Sequence, residues 1–358
     1  MTTVLRAPAP SAVFEIRPLE DERWDEFVSR FSNSSVFHTR AWLEALRSTY
    51  NYDIVAFTTS AAGHALDDCL VFGRVASWMT GTRLVSLPFS DHCAPLCDDP
   101  KSFQALVTAA ERQVIEDKLN YLELRTNSAP PLYSSLPRSD HFYWFHQLDL
   151  TPELNDLFQG FHKSCTQRKI RRAERERLTY EEGRSDSLIE TFYRLLLMTR
   201  RRHQAPPQPK EWFQNLANSF GDRFTIHLAS ADGQPAAAIV TLRHKDTLVY
   251  KYGGSDPQFH RLGPMHLVFW RCIQQAKYDK LRTLDLGRSN PADAGLVAFK
   301  DRWGSVRSTL TYSRYGVRGR FEFQTDGGRK ERIARDLVSR LPQPLFTAIG
   351  RWFYRHIG

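Results

Sequence analysis

The stretch "TLVYKYGGSDPQFHRLGPMHLVFWRCIQQAKYDKLRTLDLGRS", Thr247 to Ser289, decides the fold. It opens with a strand-like run that ends in a glycine pair. The loop "PQFHRLGP" follows and feeds a helix that starts near Pro264, where the N–H that proline lacks would have no helical partner. "TLDLG" then reads as a second strand. A glycine-bearing loop at a helix N-terminus can offer backbone N–H groups to a phosphate, helped by the helix dipole. Upstream, "TIHLASADGQPAAAIVTLRHKDTLVYKYGGSD" reads as three strands, the first pair turning at Asp232-Gly233.

The first half runs in the same order. "FEIRPL" reads as a short strand, and Trp24, Phe27, Val28 and Phe31 fall on one helical face. "TRAWLEALRSTY" is a second helix; "DIVAFTTS", "DDCLVFGRVAS" and "TRLVSLPFSD" are strands. "SFQALVTAAERQVIEDKL" is a helix, and "NYLELRT" a strand with alternating faces. "DKLNYLELRTN" (Asp117 to Asn127) parallels "DKLRTLDLGRSN" (Asp279 to Asn290), and the strand before each helix ends in a Ser-Asp pair, Ser90-Asp91 and Ser255-Asp256. The chain reads as a duplication of a strands–helix–strand unit of roughly 150 residues.

Its 358 residues fit two such units, with 41% apolar and 25% charged residues, as in ordinary globular proteins. The net charge of +9 points to phosphates, nucleic acid or an anionic membrane face as partners. Five cysteines form no disulfide pattern, and "SDHCAPLC" lacks the second ligand cluster a metal site needs, so no metal and no tightly bound cofactor are expected. The N-terminus has no apolar signal region and no run of about 18 apolar residues occurs, so the expectation is a cytoplasmic protein without a membrane span.

Between the halves, "FHKSCTQRKIRRAERERLTYEEG" carries Lys163, Arg168, Lys169, Arg171, Arg172, Arg175 and Arg177. It is either a solvated basic helix or a phosphate clamp, with Arg168 and Arg172 as its candidates. RNA binding would interleave stacking aromatics, and Lys163 to Arg177 has none. The tail, "GGRKERIARDLVSRLPQPLFTAIGRWFYRHIG", reads as a helix, a Pro-x-Pro break and a second helix. Leu345, Phe346, Ile349, Trp352, Phe353 and Ile357 lie beside Arg351, Arg355 and His356 in that last helix. Such a stripe docks on the protein's own core or lies on a membrane surface, giving a peripheral contact at its inner face.

The strand–loop–helix–strand order resembles the cofactor-binding core of the GNAT acyltransferases. Arg261 and Gly263 stand in the phosphate loop, and Pro264 removes one N–H donor. The wider pattern resembles the FemABX family of aminoacyl and peptidyl transferases. It is carried by "SSVFHTRAWLEAL", "FHKSCTQRKIRRAERE", "FYRLLLMTRRRHQAPP", "GQPAAAIVTLRHKDTLVYKYGGSD", "LGPMHLVFWRCIQQA", "LDLGRSN" and "GLVAFKDRWGS", in order from about Phe14 to Tyr315. The resemblance implies an α/β (α+β) fold of two tandem GNAT-like domains, each a mixed central sheet flanked by helices, plus a C-terminal helical tail. The expected division is a disordered 1–12, a first domain over 13–155, the acyltransferase core over 156–318 and a basic amphipathic tail over 319–358.

The resemblance further implies transfer of an acyl or aminoacyl group to an amine of a cell-envelope or polysaccharide precursor, a phosphorylated or lipid-linked acceptor. Acyl-CoA or aminoacyl-tRNA would be the co-substrate. The chain lacks the coiled-coil insertion common among tRNA users, so both donors stay open. In family members the lysine matching Lys300 binds the charged substrate or stabilises developing charge; Phe299 would pack beside the acceptor, and a basic residue at Arg202 or His203 would touch substrate. Trp303 reads as core. From the residues alone, Arg288 ends a strand where α/β sites form, unless it merely pairs with Asp285. Asp285 orients the amine, accepts its proton, or is structural. Tyr252 stacks on substrate or fills the sheet, and Arg40 is a first-domain candidate. No G-x-S-x-G elbow or P-loop occurs, which favours direct attack over a covalent intermediate. The competing class is a non-catalytic basic module that holds RNA or an anionic membrane.

Overall fold

The computed structural model describes residues 12–127, 133–317, 323 and 336–357. The Pro/Ala-rich start and most of the first expected tail helix lie outside these residues.

Among the described residues, twelve strands form one mixed sheet. In the first half these are β1 (Phe14–Ile16), β2 (Asp53–Thr58), β3 (Leu70–Val75), β4 (Arg83–Val85), β5 (Leu122–Thr126) and β6 (Arg138–Asp149). The second half supplies β7 (Thr179–Gly183), β8 (Phe224–Ala231), β9 (Gln234–His244), β10 (Thr247–Ser255), β11 (Thr283–Ser289) and β12 (Val306–Tyr315). Their order across the sheet is β1-β2-β3-β4-β5-β12-β6-β11-β10-β9-β8-β7. The order reads the same from either end once six is added to each first-half strand number, as a duplication requires. The last strand of each half has moved across. β12 pairs antiparallel with β5, β6 pairs antiparallel with β11, and the two exchanged strands pair with each other from Val306↔Gln147 to Tyr315↔Arg138.

The helices follow the same doubling. α1 (Trp24–Arg30), α2 (Arg40–Tyr50) and α3 (Pro100–Glu116) belong to the first half. Two short helices, α4 (Leu154–Gly160) and α5 (Arg168–Arg175), span the junction. α6 (Asp186–Arg202), α7 (Lys210–Phe220), α8 (Pro264–Tyr278) and α9 (Ala294–Asp301) follow, and α10 (Gln343–Ile357) ends the described chain. α3 shows why such segments are helical. Asp99 caps it by accepting the Ser102 N–H, Pro100 stands at its first turn, and Phe103, Leu106, Val107, Ala110 and Val114 form its buried stripe.

One core is common to both halves. α2 packs on α7, where Trp42 and Trp212 meet edge to face at 5.2 Å. α1, α6 and Phe346 of α10 join the same cluster. On the other side of the sheet, α3 covers the first half and α5 with α8 covers the second, each over its own cluster. The tail therefore docks on the protein's core: Phe346 is 0% exposed, and Arg201 donates to the carbonyls of Ser339 and Leu341 beside it. Among the described residues no helix is long and apolar enough to cross a membrane.

Candidate active site

β10 and β11 pair in parallel over Thr247–Val249 and Thr283–Asp285, and there the pairing stops. Beyond that point four charged side chains from four places converge: Asp91, Lys251, Arg288 and Lys300. The cause lies in β11. Its register against β6 slips between Asp285 and Arg288, a bulge with Gly287 at φ +70. The Gly287 N–H donates to Asp285 Oδ1 at 2.6 Å. A Cβ on Gly287 would stand 3.1 Å from Asp91 Oδ2, so the glycine also makes room for that carboxylate.

Asp91 arrives from the loop after β4. Its carboxylate accepts from Lys251 Nζ of β10 at 2.8 Å and lies 3.8 Å from Arg288 Nε of β11, bridging the unpaired ends of the two strands. Burial opposes the Asp91 charge, but Lys251 and Arg288 hold the carboxyl below its usual range. Lys251 is boxed by the rings of Phe37, Trp42 and Tyr252 at 5.1 to 5.7 Å, and burial lowers its ammonium despite Asp91. The Arg288 guanidinium lies over Tyr143 at 4.4 Å and Tyr312 at 5.1 Å, with 37% of its side chain exposed. The Tyr312 hydroxyl donates to the Asp91 carbonyl at 2.7 Å.

Lys300 comes from the opposite side. It stands on the last turn of α9, whose N-cap Asp293 accepts the Leu296 N–H at 3.0 Å. The lysine is 3% exposed, and its Nζ donates to the carbonyls of Gly287 at 3.0 Å and Arg288 at 2.8 Å. Burial pushes it down to about 8, against the pull of Asp91 and Asp285 and with the push of Lys251 and Arg288. Three cations thus face two carboxylates, and the surplus positive charge suits an oxyanion or a phosphate.

Asp285 is buried and accepts from His92 Nε2 at 2.9 Å; the His92 ring is held between Phe37 and Phe145. A cleft of about 450 Å³ opens on this pair, walled also by Ser34, Asn127, Gln147 and His244. Arg288 does not pair with Asp285. The Gly287 bulge turns it to Asp91, and Asp285 takes His92 instead.

The remaining expected residues divide. Phe299 packs in the α8 cluster against Phe269, His266 and Trp303, and Trp303 is core. Tyr252 is buried, its hydroxyl accepting from Trp212 Nε1 at 2.8 Å. Arg202 and His203 end α6 on the surface, within electrostatic reach of His260 and Asp293 respectively. Arg261 is exposed in the turn before α8. Gly263 sits at φ +83, and a Cβ there would come 2.6 Å from the Lys169 carbonyl, so its conformation and packing on α5 both require glycine. Arg168 is exposed and lines a shallow hollow with Lys163, Arg171 and Arg175, while Arg172 turns away to Glu176 at 3.4 Å. Arg40 stays within the first half, bonded to Asp25 and to the carbonyls of Leu19 and Asp21.

Sequence reasoning misses Asp91, His92, Lys251, Tyr143 and Tyr312. The Ser90-Asp91 pair is expected at a strand end, but β4 stops at Val85 and the pair lies in the loop beyond it; Lys251 sits between two tyrosines in a strand, and nothing local says that the two meet.

The family description "Acetyltransferase (GNAT) domain" matches residues 162–300, ending at Lys300. A UDP-N-acetylmuramoylpentapeptide-lysine N(6)-alanyltransferase of Weissella viridescens is 27% identical over 158 residues. That match covers 43% of this chain and about half, 46%, of the relative's length. The crystal structure of FemX superposes with a TM-score of 0.62 at 14% identity, covering 84% of this chain and 96% of that one. The structure of L-PGS from Bacillus licheniformis gives 0.53 at 13% identity, over 90% and 96%. A tandem GNAT protein from the clavulanic acid biosynthesis pathway gives 0.50 at 10%, over 84% and 97%. These structural likenesses concern the fold, a mixed sheet flanked by helices.

Proposed function

We propose that the chain, which matches the GNAT acetyltransferase domain over residues 162–300 and is similar to a lysine alanyltransferase, transfers an acyl or aminoacyl group to an amine of a peptidoglycan precursor. The observation that carries the reading is the buried Lys300, fixed by two strand-end carbonyls beside Asp91, Lys251 and Arg288.

Attack proceeds directly. The amine nitrogen bonds to the carbonyl carbon of the donor, and negative charge gathers on the carbonyl oxygen. The Lys300 ammonium, already oriented and out of water, stabilises that oxygen; a fixed donor of this kind is worth about 3 kcal/mol. The bond from carbon to the carrier oxygen or sulfur then breaks. One amine proton goes to a base in the cleft, for which Asp285 with His92 is the candidate, and passes from it to the carrier oxygen or sulfur, which leaves as an alcohol or thiol. The basic hollow on α5 would take phosphates of the donor or the acceptor. Gly263 is packed on α5 and Pro264 has no N–H, so the loop before α8 has few donors for a CoA diphosphate. This favours aminoacyl-tRNA as the carrier. The relative's name specifies an alanyl group placed on a lysine of a UDP-linked muramoyl pentapeptide, the first pair to try.

The test incubates the purified chain with alanyl-tRNA or acetyl-CoA and either a UDP-linked or a lipid-linked precursor, and weighs the acceptor by mass spectrometry. A gain of one alanyl or acetyl unit that depends on Lys300 supports the reading. An acceptor of unchanged mass in every arm sinks it and leaves the binding-module alternative, for which the α5 hollow is the supporting feature.

A further inference from the structure

We propose that the Ser77–Gly81 turn and the outer face of α10 form one surface that seats the protein on an anionic lipid bilayer. This is independent of the transferase reading, because lipid binding needs no turnover.

Trp78 is 80% exposed, beside the exposed Met79. The turn that carries them is well held. Ser77 and Gly81 exchange backbone hydrogen bonds at 3.2 and 2.8 Å, and Ser77 Oγ accepts from the N–H groups of Met79 and Thr80. A large apolar ring is therefore presented at a fixed turn tip. The same turn grips the end of α10. Arg83 donates to the His356 carbonyl at 2.8 Å, and Thr80 Oγ1 reaches it at 3.3 Å. Leu345 and Trp352 of α10 are exposed and stand seven residues apart, hence on one side of the helix, and the exposed Arg355 follows at the next turn. The Trp352 ring meets that of His356 at 5.3 Å, next to the turn.

The helix is thus used on both faces. Phe346 docks inward, while Leu345, Trp352 and Arg355 face out. α10 contains Arg351, Arg355 and His356 and no acidic residue, and Glu211 pairs with Arg351. Tryptophan at a water–hydrocarbon boundary beside arginine is the pattern of an interfacial contact with anionic headgroups. A protein partner would need a pocket for Trp78. A bilayer needs none.

The test uses the full chain with sucrose-loaded vesicles of phosphatidylglycerol and phosphatidylcholine, and with phosphatidylcholine alone. Deleting α10 would uncover the core seat of Phe346, so point variants at exposed positions are used and their folding is checked by circular dichroism. The wild type is expected to sediment with anionic vesicles and to shift its tryptophan emission to the blue. Trp78→Ser with Trp352→Ser should lower partitioning by about tenfold, and Arg355→Ala by about fivefold on anionic vesicles. Wild-type protein left in the supernatant of anionic vesicles overturns the proposal. So does full sedimentation of the double tryptophan variant. Self-association of the wild type without vesicle binding, abolished in the same variant, would make the surface a protein interface and overturn it as well.

Discussion

Lys300 holds a positive charge almost out of reach of water, and its pH behaviour follows from that. Its folded value is about 8 against an ordinary 10.5. Below 8 both folded and unfolded chains hold the proton, and the full cost of burying the charge is present. Between 8 and 10.5 the folded chain has released the proton while the unfolded chain keeps it, so stability from this group rises with pH across that window. Activity should go the other way. A lysine that works as a cation loses its effect as pH climbs through about 8, and a pH–rate profile should show that limb. Lys300→Arg should remove it, and Lys300→Met should cut kcat by about 10²- to 10³-fold with a thermal midpoint near wild type. A rate that instead rises through pH 8 would make the lysine a proton acceptor. Gly287→Ala gives a second prediction. A side chain at φ +70, pressed toward Asp91, should cost about 1–3 kcal/mol in denaturant unfolding and displace Arg288 from the site. The duplicated strand shows how this place arose. "LELRT" of β5 and "LDLGRS" of β11 align with only the conservative changes Glu123/Asp285 and Thr126/Ser289 and one inserted glycine. In β5, without the bulge, Arg125 bonds Glu123 and the carbonyls of Leu87 and Ser90, and the corresponding gap is sealed. The alignment of the two strands is legible in the sequence; the bulge, and the partner 196 residues away in Asp91, are not.

Helices and strands differ in how openly the sequence announces them. α2, α3, α8 and α10 are written in local periodicity and caps, and they lie where the pattern puts them. "GLVAFKDRWGS" shows no clear helical stripe, yet most of it is α9, announced locally by Asp293 as its N-cap. The strands β6 and β12 are only partly marked locally, by the strand-favouring runs "FYWF" and "TLTY". The start of β12, "VRST", is exposed throughout, and β6 alternates exposed and half-buried positions only over Arg138–Tyr143. Their stability as strands comes from each other and from β5 and β11, which no local window contains. The junction helix is recognisable as basic, but its free face is set by the burial of Ile170 and Ala173 against α8, and Arg172 on that free face is taken by Glu176. Replacing Arg168, Arg171 and Arg175 together by alanine should raise KM for a tRNA donor or phosphorylated acceptor by about tenfold and flatten its salt dependence. The variant should leave kcat near wild type and stability within about 0.5 kcal/mol. An unchanged KM would make this a solvated face.

The whole molecule is two copies of one plan, each completed by the other's last strand. A fragment of residues 13–155 contains β6 without β11 and β5 without β12, so it should fail to give a cooperative thermal transition, whereas co-expression with 156–358 should restore one. A sharp, independent melt of the first half would contradict this. The exchange also has a consequence in time. On the ribosome β5 emerges about 180 residues before β12 and, at about 5–20 residues per second, waits on the order of ten to forty seconds for it. During that interval the nascent first half shows an open strand edge of the kind that recruits chaperones or a neighbouring chain. A translation pause late in the message would lengthen that exposure, so the speed of synthesis, as much as the final contacts, sets how much of this protein reaches its native state.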